Sequence, residues 1–493
     1  MPEASRETYG IPPKALEELE ELLDPTEWKT DEEDRREHGH DSWVLSIKDR
    51  DIGVAGDALP AGVARPTSTE QVSRLLAWAT RHGVPVVPYG AGSGVMGGAV
   101  PTRGGISLDL GAFDGIEDLD EDNLLVTVGA GLNGGEMEAR LDARGYTVGH
   151  YPQSLHISTV GGWVATRGSG TFSSRYGNIE DMVAGIEVVL PTGEVVRTKP
   201  VPRSASGPDY KQLFVGSEGT LGVITRVTLR MWPRPEVRSF RALSFATFGD
   251  GLETIRKVVR GGVRPGVVRL YDPVEGRPTL ERFGHDADRW LLVLAFDGSP
   301  RMVEFEEGVT VETAHAHGAV DLGREPAEHW EKHRFEIDWL WEMVNLPGGI
   351  AEAIEVAHVW DRLEETYERM VEAVRPHTPD VFGHVSHVYP QGASLYVICR
   401  ALEADDEAAE RAYRNGWQAA MRACLETGAT ISHHHGIGLQ RAPWMEAEHG
   451  TGLDVLRRIK RALDPAGIMN PGKLGLDDHE PPDRAQETRT ERS

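Results

Sequence analysis

Three adjacent imidazoles, His433, His434 and His435, stand in the stretch Ser432-His433-His434-His435-Gly436-Ile437-Gly438, just after a helical pattern that ends near Thr427. Near neutral pH such a triplet offers a cation, a hydrogen-bond donor and a general base within one short segment. If the segment is extended, His433 and His435 share a face and His434 points the other way. The triplet reads as a catalytic cluster, as a surface histidine run or as a metal site. The last is disfavoured, because adjacent residues cannot all chelate one ion and no helical H-x-x-x-H spacing is present. Tyr396, in Ala393-Ser394-Leu395-Tyr396-Val397 on an expected strand, reads as a core aromatic or as a phenol that moves protons. A phenol titrates near 10, so work at neutral pH calls for nearby cations, which the histidines could supply. Arg269 sits between Val268 and Leu270, as half of a buried structural ion pair or as a functional cation.

The first half of the chain carries chemistry of another kind. Glycine-rich turns occur at Pro88-Tyr89-Gly90-Ala91-Gly92-Ser93-Gly94, at Ser158-Thr159-Val160-Gly161-Gly162 and at Gly216-Ser217-Glu218-Gly219-Thr220-Leu221-Gly222. Turns without side chains let backbone N–H groups approach a phosphate closely. Three of them suggest one long, multi-phosphate ligand gripped along its length, and a dinucleotide such as FAD meets that demand. Gly92-Ser93-Gly94-Val95-Met96-Gly97 also matches G-x-G-x-x-G, but a Rossmann site needs a helix to open there. Gly97-Gly98, Pro101 and Gly104-Gly105 forbid one, and a strand is expected at Ile106.

The elements that must position these groups follow from periodicity. Residues 1–57 read as a polar, partly helical lead-in. Residues 58–236 alternate strands and helices: Gln71 to His82 is an amphipathic helix, Val84 to Val87, Ile106 to Leu110 and Leu124 to Val128 are strands, and Gly135 to Arg144 is a helix. Val183 to Leu190, with Pro191-Thr192-Gly193 and Glu194 to Thr198, reads as a hairpin, and Val223 to Met231 as a strand. Residues 237–445 form a second region of longer helices and strands. Residues 446–475 form a closing helix and a return segment, and the charged residues 476–493 are expected to be disordered.

Composition narrows the partners. The chain has 493 residues and a net charge of −26, a field that repels nucleic acid and anionic membrane. Two cysteines, Cys399 and Cys424, make neither a disulfide framework nor a cysteine zinc site, so a reducing cytoplasm is the expected compartment. No apolar run approaches membrane-spanning length. A small-molecule substrate is expected, without nucleic acid; peripheral membrane contact and a homodimer are compatible with the sequence.

The succession of Pro88 to Gly94, Ser154 to Trp163, Tyr176-Gly177-Asn178-Ile179-Glu180-Asp181 and Gly216 to Gly222 resembles the vanillyl-alcohol-oxidase-type (PCMH-type) FAD-binding flavoenzymes, above all their alkylglycerone-phosphate synthase branch. The likeness runs from about His38 to Pro471. It implies an α+β fold: a two-subdomain FAD-binding domain, a cap built on an antiparallel sheet, and a C-terminal segment that returns to the flavin. Carried over by motif, FAD contacts would be Pro88, Tyr89, Gly90, Ala91, Gly92, Ser93 and Gly94; Gln153, Ser154, Leu155, His156, Ile157, Ser158 and Thr159; Thr166, Arg167, Gly168 and Ser169; and Glu218, Gly219, Thr220, Leu221, Gly222, Val223 and Ile224. The first turn holds no His or Cys, so non-covalent FAD is expected and no metal is assigned.

The resemblance makes Tyr396 the acid/base, puts His433, His434 and His435 in the active site and makes Arg269 important for activity. Glu355 and Trp360-Asp361-Arg362 resemble the family's cap helix and read as structural. The implied reaction exchanges an acyl for an alkyl chain on a dihydroxyacetone-phosphate-type substrate, as in ether-lipid synthesis, with no net redox. One departure stands out. Arg334-Phe335 is present, but Trp341 in Trp339-Leu340-Trp341-Glu342 stands where the family carries a substrate-binding Arg, and an indole cannot pair bidentately with phosphate or carboxylate. A second resemblance, through His435-Gly436-Ile437-Gly438 and Gly467 to Leu474, is to FAD-linked D-2-hydroxy-acid dehydrogenases. In their metal-site pattern Gly383-His384 survives, Tyr396 replaces a second His, and His434 replaces a Glu. That likeness implies oxidation of a hydroxy acid or related alcohol, with His435 as base.

Overall fold

The computed structural model describes residues 11–52, 59–336 and 338–477; the expected disorder of the tail falls almost wholly outside the described residues. A small sheet pairs Gly62–Ala64, Ile106–Asp109 and Val86–Tyr89 in parallel, with Trp28–Lys29 antiparallel at its edge. Helix Thr69–His82 belongs to the same core because Val72, Leu75, Leu76 and Ala79 fall on one side at helical spacing. Ser68 accepts from the Gln71 amide at its start, and Gly83 ends it in the left-handed conformation. A five-stranded antiparallel sheet follows, in the order Ile116–Asp120, Leu125–Gly129, Val223–Arg230, Val183–Val189 and Val195–Arg197. The last two strands form the expected hairpin.

The lead-in is less polar in its packing than in its composition. Ile11, Ala15 and Leu19 are buried in the core of the Thr69–His82 helix, and Trp78 donates to the Ala15 carbonyl at 3.1 Å. Val44, Leu45 and Ile47 join the core of the second half instead. Their apolar spacing within short, charged helices is too sparse to reveal this from sequence.

From Val237 the chain builds a seven-stranded antiparallel sheet. Its spatial order is Val320–Gly323, Val237–Phe245, Trp290–Gly298, Val267–Tyr271, Asp380–Val388, Gly392–Leu402 and Gly349–Val359. Strand alternation sorts its two faces. Val268, Leu270, Leu395 and Val397 enter a core shared with helices Phe248–Arg260, Leu363–Val374 and Asp406–Thr427. Their neighbours Arg269, Tyr271, Tyr396 and Ile398 line a cavity. A register shift between Ser386 and Val388, with His387 at φ +45°, breaks the alternation. This bulge puts His387 as well as His384 on the cavity wall. Glu355 lies on the strand Gly349–Val359, not on a cap helix as the resemblance suggested, and Trp360–Arg362 is a single 3-10 turn that leads into Leu363–Val374.

After helix Thr451–Leu463 the chain returns to the small sheet. The Val86 amide donates to Ile468 at 2.8 Å and the Asn470 amide donates to Val86 at 2.9 Å. Asn470 Nδ2 bridges the Gly98 and Glu218 carbonyls at 2.9 and 2.6 Å, which ties two of the glycine stretches together. Among the described residues no helix is long and apolar enough to cross a membrane.

Candidate active site

A cavity of about 500 Å³ separates the glycine stretches from the open face of the seven-stranded sheet. One wall is backbone. Pro88 to Gly94 all line it, and among the described residues the amides of Gly90 to Gly94 donate to no protein acceptor. A Cβ on Gly90 would stand 2.5 Å from Thr159 Oγ1, and one on Gly219 (φ +73°) 2.9 Å from the Pro88 ring. The stretches therefore close on one another only because side chains are missing. No helix opens within residues 90–101, so the Rossmann pattern is a decoy, as expected. The second stretch is not a turn. Thr159 caps a helix, Val160–Thr166, by accepting from the Gly162 amide at 3.3 Å. Gly161 is there because a Cβ would meet Ala130 Cβ at 2.7 Å, so it serves close packing of the helix.

Most of the motif-derived cofactor positions line this wall: Gln153, Ser154, Ile157, Ser158, Thr159, Thr166, Gly168, Ser169, Glu218, Gly219, Gly222 and Ile224 join the first stretch. Six do not. Leu155, Thr220, Leu221 and Val223 are buried behind it. His156 packs its ring on Phe335, and Arg167 pairs with Glu180 at 3.0 Å. Residues that the motifs missed on this wall include Ala130, Trp163, Asp41 and Ser42. A wall of unpartnered amides, bare of side chains at Gly90, Gly92 and Gly94 and flanked by apolar surface, fits FAD.

The opposite wall is made of side chains. Tyr396 Oη and His434 Nε2 are 2.8 Å apart, and His384 stacks on the Tyr396 ring at 4.5 Å. Thus His384, Tyr396 and His434, the three positions matched to the dehydrogenases' metal site, meet in space as a mixed phenol–imidazole cluster. His384 Nδ1 contacts Glu275 at 2.9 Å, and Arg269 Nη1 lies 3.4 Å from His384 Nε2. Arg269 is no half of a structural ion pair: among the described residues its Nε finds no acceptor, and no carboxylate pairs with it. Arg334 also lines the cavity, held by Thr171 at 3.2 Å, by Glu331 at 3.1 Å and over the Phe335 ring at 4.1 Å. Trp339, Leu340 and Trp341 complete the wall.

The histidine triplet departs from the extended geometry assumed for it. Glu355, fully buried, gathers the His433 and His435 amides onto its carboxylate, the latter at 2.8 Å, and pairs with the buried Arg441 at 2.8 Å. Wrapping the backbone around one anion abolishes alternation. His434 and His435 line the cavity, whereas His433 turns to Tyr389, 2.7 Å away. A second buried carboxylate, Glu218, holds the Ile437 and Gly438 amides at 2.6 and 2.7 Å and so fixes the segment to the FAD-side wall.

The electrostatics also differ from expectation. Burial pushes His433 down, His434 well below its usual value and His435 to about 4. The triplet is therefore neutral at pH 7. Burial likewise raises Tyr396, with Arg269 opposing. The imidazoles do not act as cations that prepare a phenolate; desolvation outweighs Glu355. Glu355 itself is pushed up by burial but is held well below the carboxylate range by Arg441 and the histidines. Arg441, Tyr389 and His387 carry no sequence signal, because they reach the site from separate strands and turns.

Comparison with known proteins agrees with this geometry. Residues 60–199 match the FAD binding domain family, and residues 234–474 match the FAD linked oxidases, C-terminal domain. An uncharacterized FAD-linked oxidoreductase, YgcU, of Escherichia coli K12 is 34% identical over 449 residues, 86% of this chain and 90% of that protein. An alkyldihydroxyacetonephosphate synthase of Trypanosoma brucei brucei is 29% identical, covering 85% and 73%. A solved alkyldihydroxyacetonephosphate synthase superposes with a TM-score of 0.80 at 24% identity, covering 94% of this chain and 86% of that one.

Proposed function

The chain belongs to the FAD-linked oxidases, and from that premise we propose that it oxidises the hydroxyl group of a small anionic substrate, a hydroxy acid or a phosphorylated alcohol. The observation that carries this reading is Arg269, an unpaired guanidinium on the cavity wall beside the Tyr396–His434 pair. A desolvated cation is stabilised when an anion answers it directly; Glu275 reaches Arg269 only through His384, which leaves the guanidinium open to an anionic substrate group. When bound, FAD supplies the two-electron acceptor. Arg269, with Arg334 further along the wall, binds and orients the anionic group. Tyr396, neutral, accepts the hydroxyl proton as it passes its own to His434 Nε2. Stacked His384 and the wall of Trp339 to Trp341 keep water from the reacting carbon.

A second reading is the synthase-like exchange of acyl for alkyl chain, supported by the 29% identical synthase and by the Tyr396 and histidine-triplet matches. Trp341, where that family's Arg is expected, weighs against it. Anaerobic addition of D-lactate, glycolate and glycerol phosphates to the yellow holoprotein tests the two. Stable bleaching of the flavin by one of them is the expected result. No bleaching, with an ether product formed from acyl-dihydroxyacetone phosphate and hexadecanol, would transfer the conclusion to the second reading.

A further inference from the structure

Tyr396 does not end at His434. His434 Nδ1 lies 2.9 Å from His433 Nδ1, His433 Nε2 lies 2.7 Å from Tyr389 Oη, and Tyr389 Oη lies 3.0 Å from Asn178 Oδ1. Asn178 Oδ1 also accepts from Ser169. Two imidazoles that meet Nδ1 to Nδ1 can share only one proton, so one assignment dictates the rest. An amide oxygen accepts, so Tyr389 donates to Asn178. Tyr389 then accepts from His433 Nε2–H, His433 Nδ1 is bare and accepts from His434 Nδ1–H, and His434 Nε2 is bare and accepts from Tyr396. Every proton points from the cavity toward Tyr389, which is half-buried at the junction of the two regions.

We propose that Tyr389, oriented by Asn178, is the outlet of a proton-conducting chain that runs from Tyr396 through His434 and His433. The idea rests on the proposed role of Tyr396. A proton arriving on Tyr396 displaces one proton at each link, and the Tyr389 proton leaves to solvent. One proton enters, one leaves, and no link retains charge. Afterwards each proton in the chain points inward, so the same chain is set to deliver a proton back. The surroundings keep the links neutral. His387 stacks on His433 at 5.3 Å and packs on His434 at 4.9 Å, and His435 packs on His434 at 4.5 Å. Glu355 and Arg441 neutralise each other beneath the triplet, Arg269 and His384 flank Tyr396, and Glu180 and Asp181 face Tyr389. The downward shifts of His433 and His434 agree with this.

The test uses holoprotein and two independent readouts. Nitrogen-15 NMR of histidine-labelled protein should show His434 as the Nδ1–H tautomer and His433 as the Nε2–H tautomer, and Tyr389→Phe, which removes the group that sets the direction, should release the preference of both rings. Opposite tautomers, or a protonated imidazole at pH 7, would overturn the chain whatever reaction the enzyme performs. In turnover, Tyr389→Phe should lower kcat about tenfold with unchanged KM, and imidazole buffers should restore part of it. Asn178→Ala should show the same rescue with a smaller loss. Loss without rescue in both variants, with flavin content intact, would make Tyr389 merely structural and overturn the proposal. If the expected tautomers are found but no hydroxyl substrate reduces the flavin, the failure belongs to the proposed reaction and not to the chain.

Discussion

The two walls of the cavity solve the same problem, holding a polar ligand away from water, with different materials. The FAD-side wall is backbone: unpartnered amides from Gly90 to Gly94, closed by glycine contacts at Gly90 and Gly219. The cap-side wall is side chain: Arg269, His384, Tyr396, His434 and His435, each delivered by a different strand or loop except the histidine pair. A backbone wall depends on the local chain path and tolerates no Cβ where its stretches close on one another, at Gly90 and Gly219. A side-chain wall depends on burial, and its charges are set by what lies behind it. Glu355 and Arg441, which do not face the ligand, fix the orientation of the histidines that do, while burial keeps those histidines neutral.

That contrast can be broken from the cap side first. Glu355→Ala removes one partner of a fully buried pair and leaves Arg441 uncompensated, so unfolding stability should fall by about 3–5 kcal/mol, read as a denaturation midpoint. If the midpoint barely moves, Glu355 does not organise the triplet. On the backbone side, Gly219→Val adds a Cβ where φ is +73° and the Pro88 ring is 2.9 Å away. A penalty of about 1–3 kcal/mol, roughly tenfold to a hundredfold in flavin retained after gel filtration, is expected, with the cap still folded. Arg269→Met should do the reverse: flavin retained, and KM for the anionic substrate raised about tenfold to a hundredfold, the worth of charge-assisted hydrogen bonds.

Acid should also find the side-chain wall. His435 titrates near 6.5 when unfolded and at about 4 in place, so folding holds it neutral. The unfolded chain binds the extra proton below 6.5, and stability should fall by about 1 kcal/mol per pH unit between 6.5 and 4. His435→Gln should flatten that slope; an unchanged slope would place the acid sensitivity elsewhere. The smallest effect sharpens the functional comparison. Trp341→Arg restores the synthase pattern at one position, and should tighten phosphorylated ligands a few-fold while leaving oxidation of carboxylate substrates within about 1 kcal/mol of its former barrier.

Legibility in the sequence followed the same divide. The first glycine stretch, the hairpin at Pro191-Thr192-Gly193 and the helix capped by Ser68 and Gly83 are local patterns, and each appears where its residues stand. The second glycine stretch reads as a turn by itself, but its Gly161 answers to Ala130, just past the strand Leu125–Gly129, which no local pattern records. Arg269 is open between an ion pair and a functional cation in the sequence because only the fold shows that, among the described residues, no carboxylate pairs with it directly and Glu275 reaches it through His384. The triplet was legible as chemistry but not as geometry: alternation holds for an extended segment, and a buried carboxylate far away in sequence bent this one.

By itself, then, the amino-acid order determined where backbone could lie bare, many of the strands and helices of the first half, and that a yellow cofactor and a histidine cluster belong to one chain. Packing decided the rest: which imidazoles face the cavity, that they are neutral, and that Tyr389 and Asn178 lie in line with Tyr396. The physical reason is range. Torsional preferences and turn chemistry act over a few residues, whereas protonation and orientation depend on whichever groups the completed fold desolvates beside them.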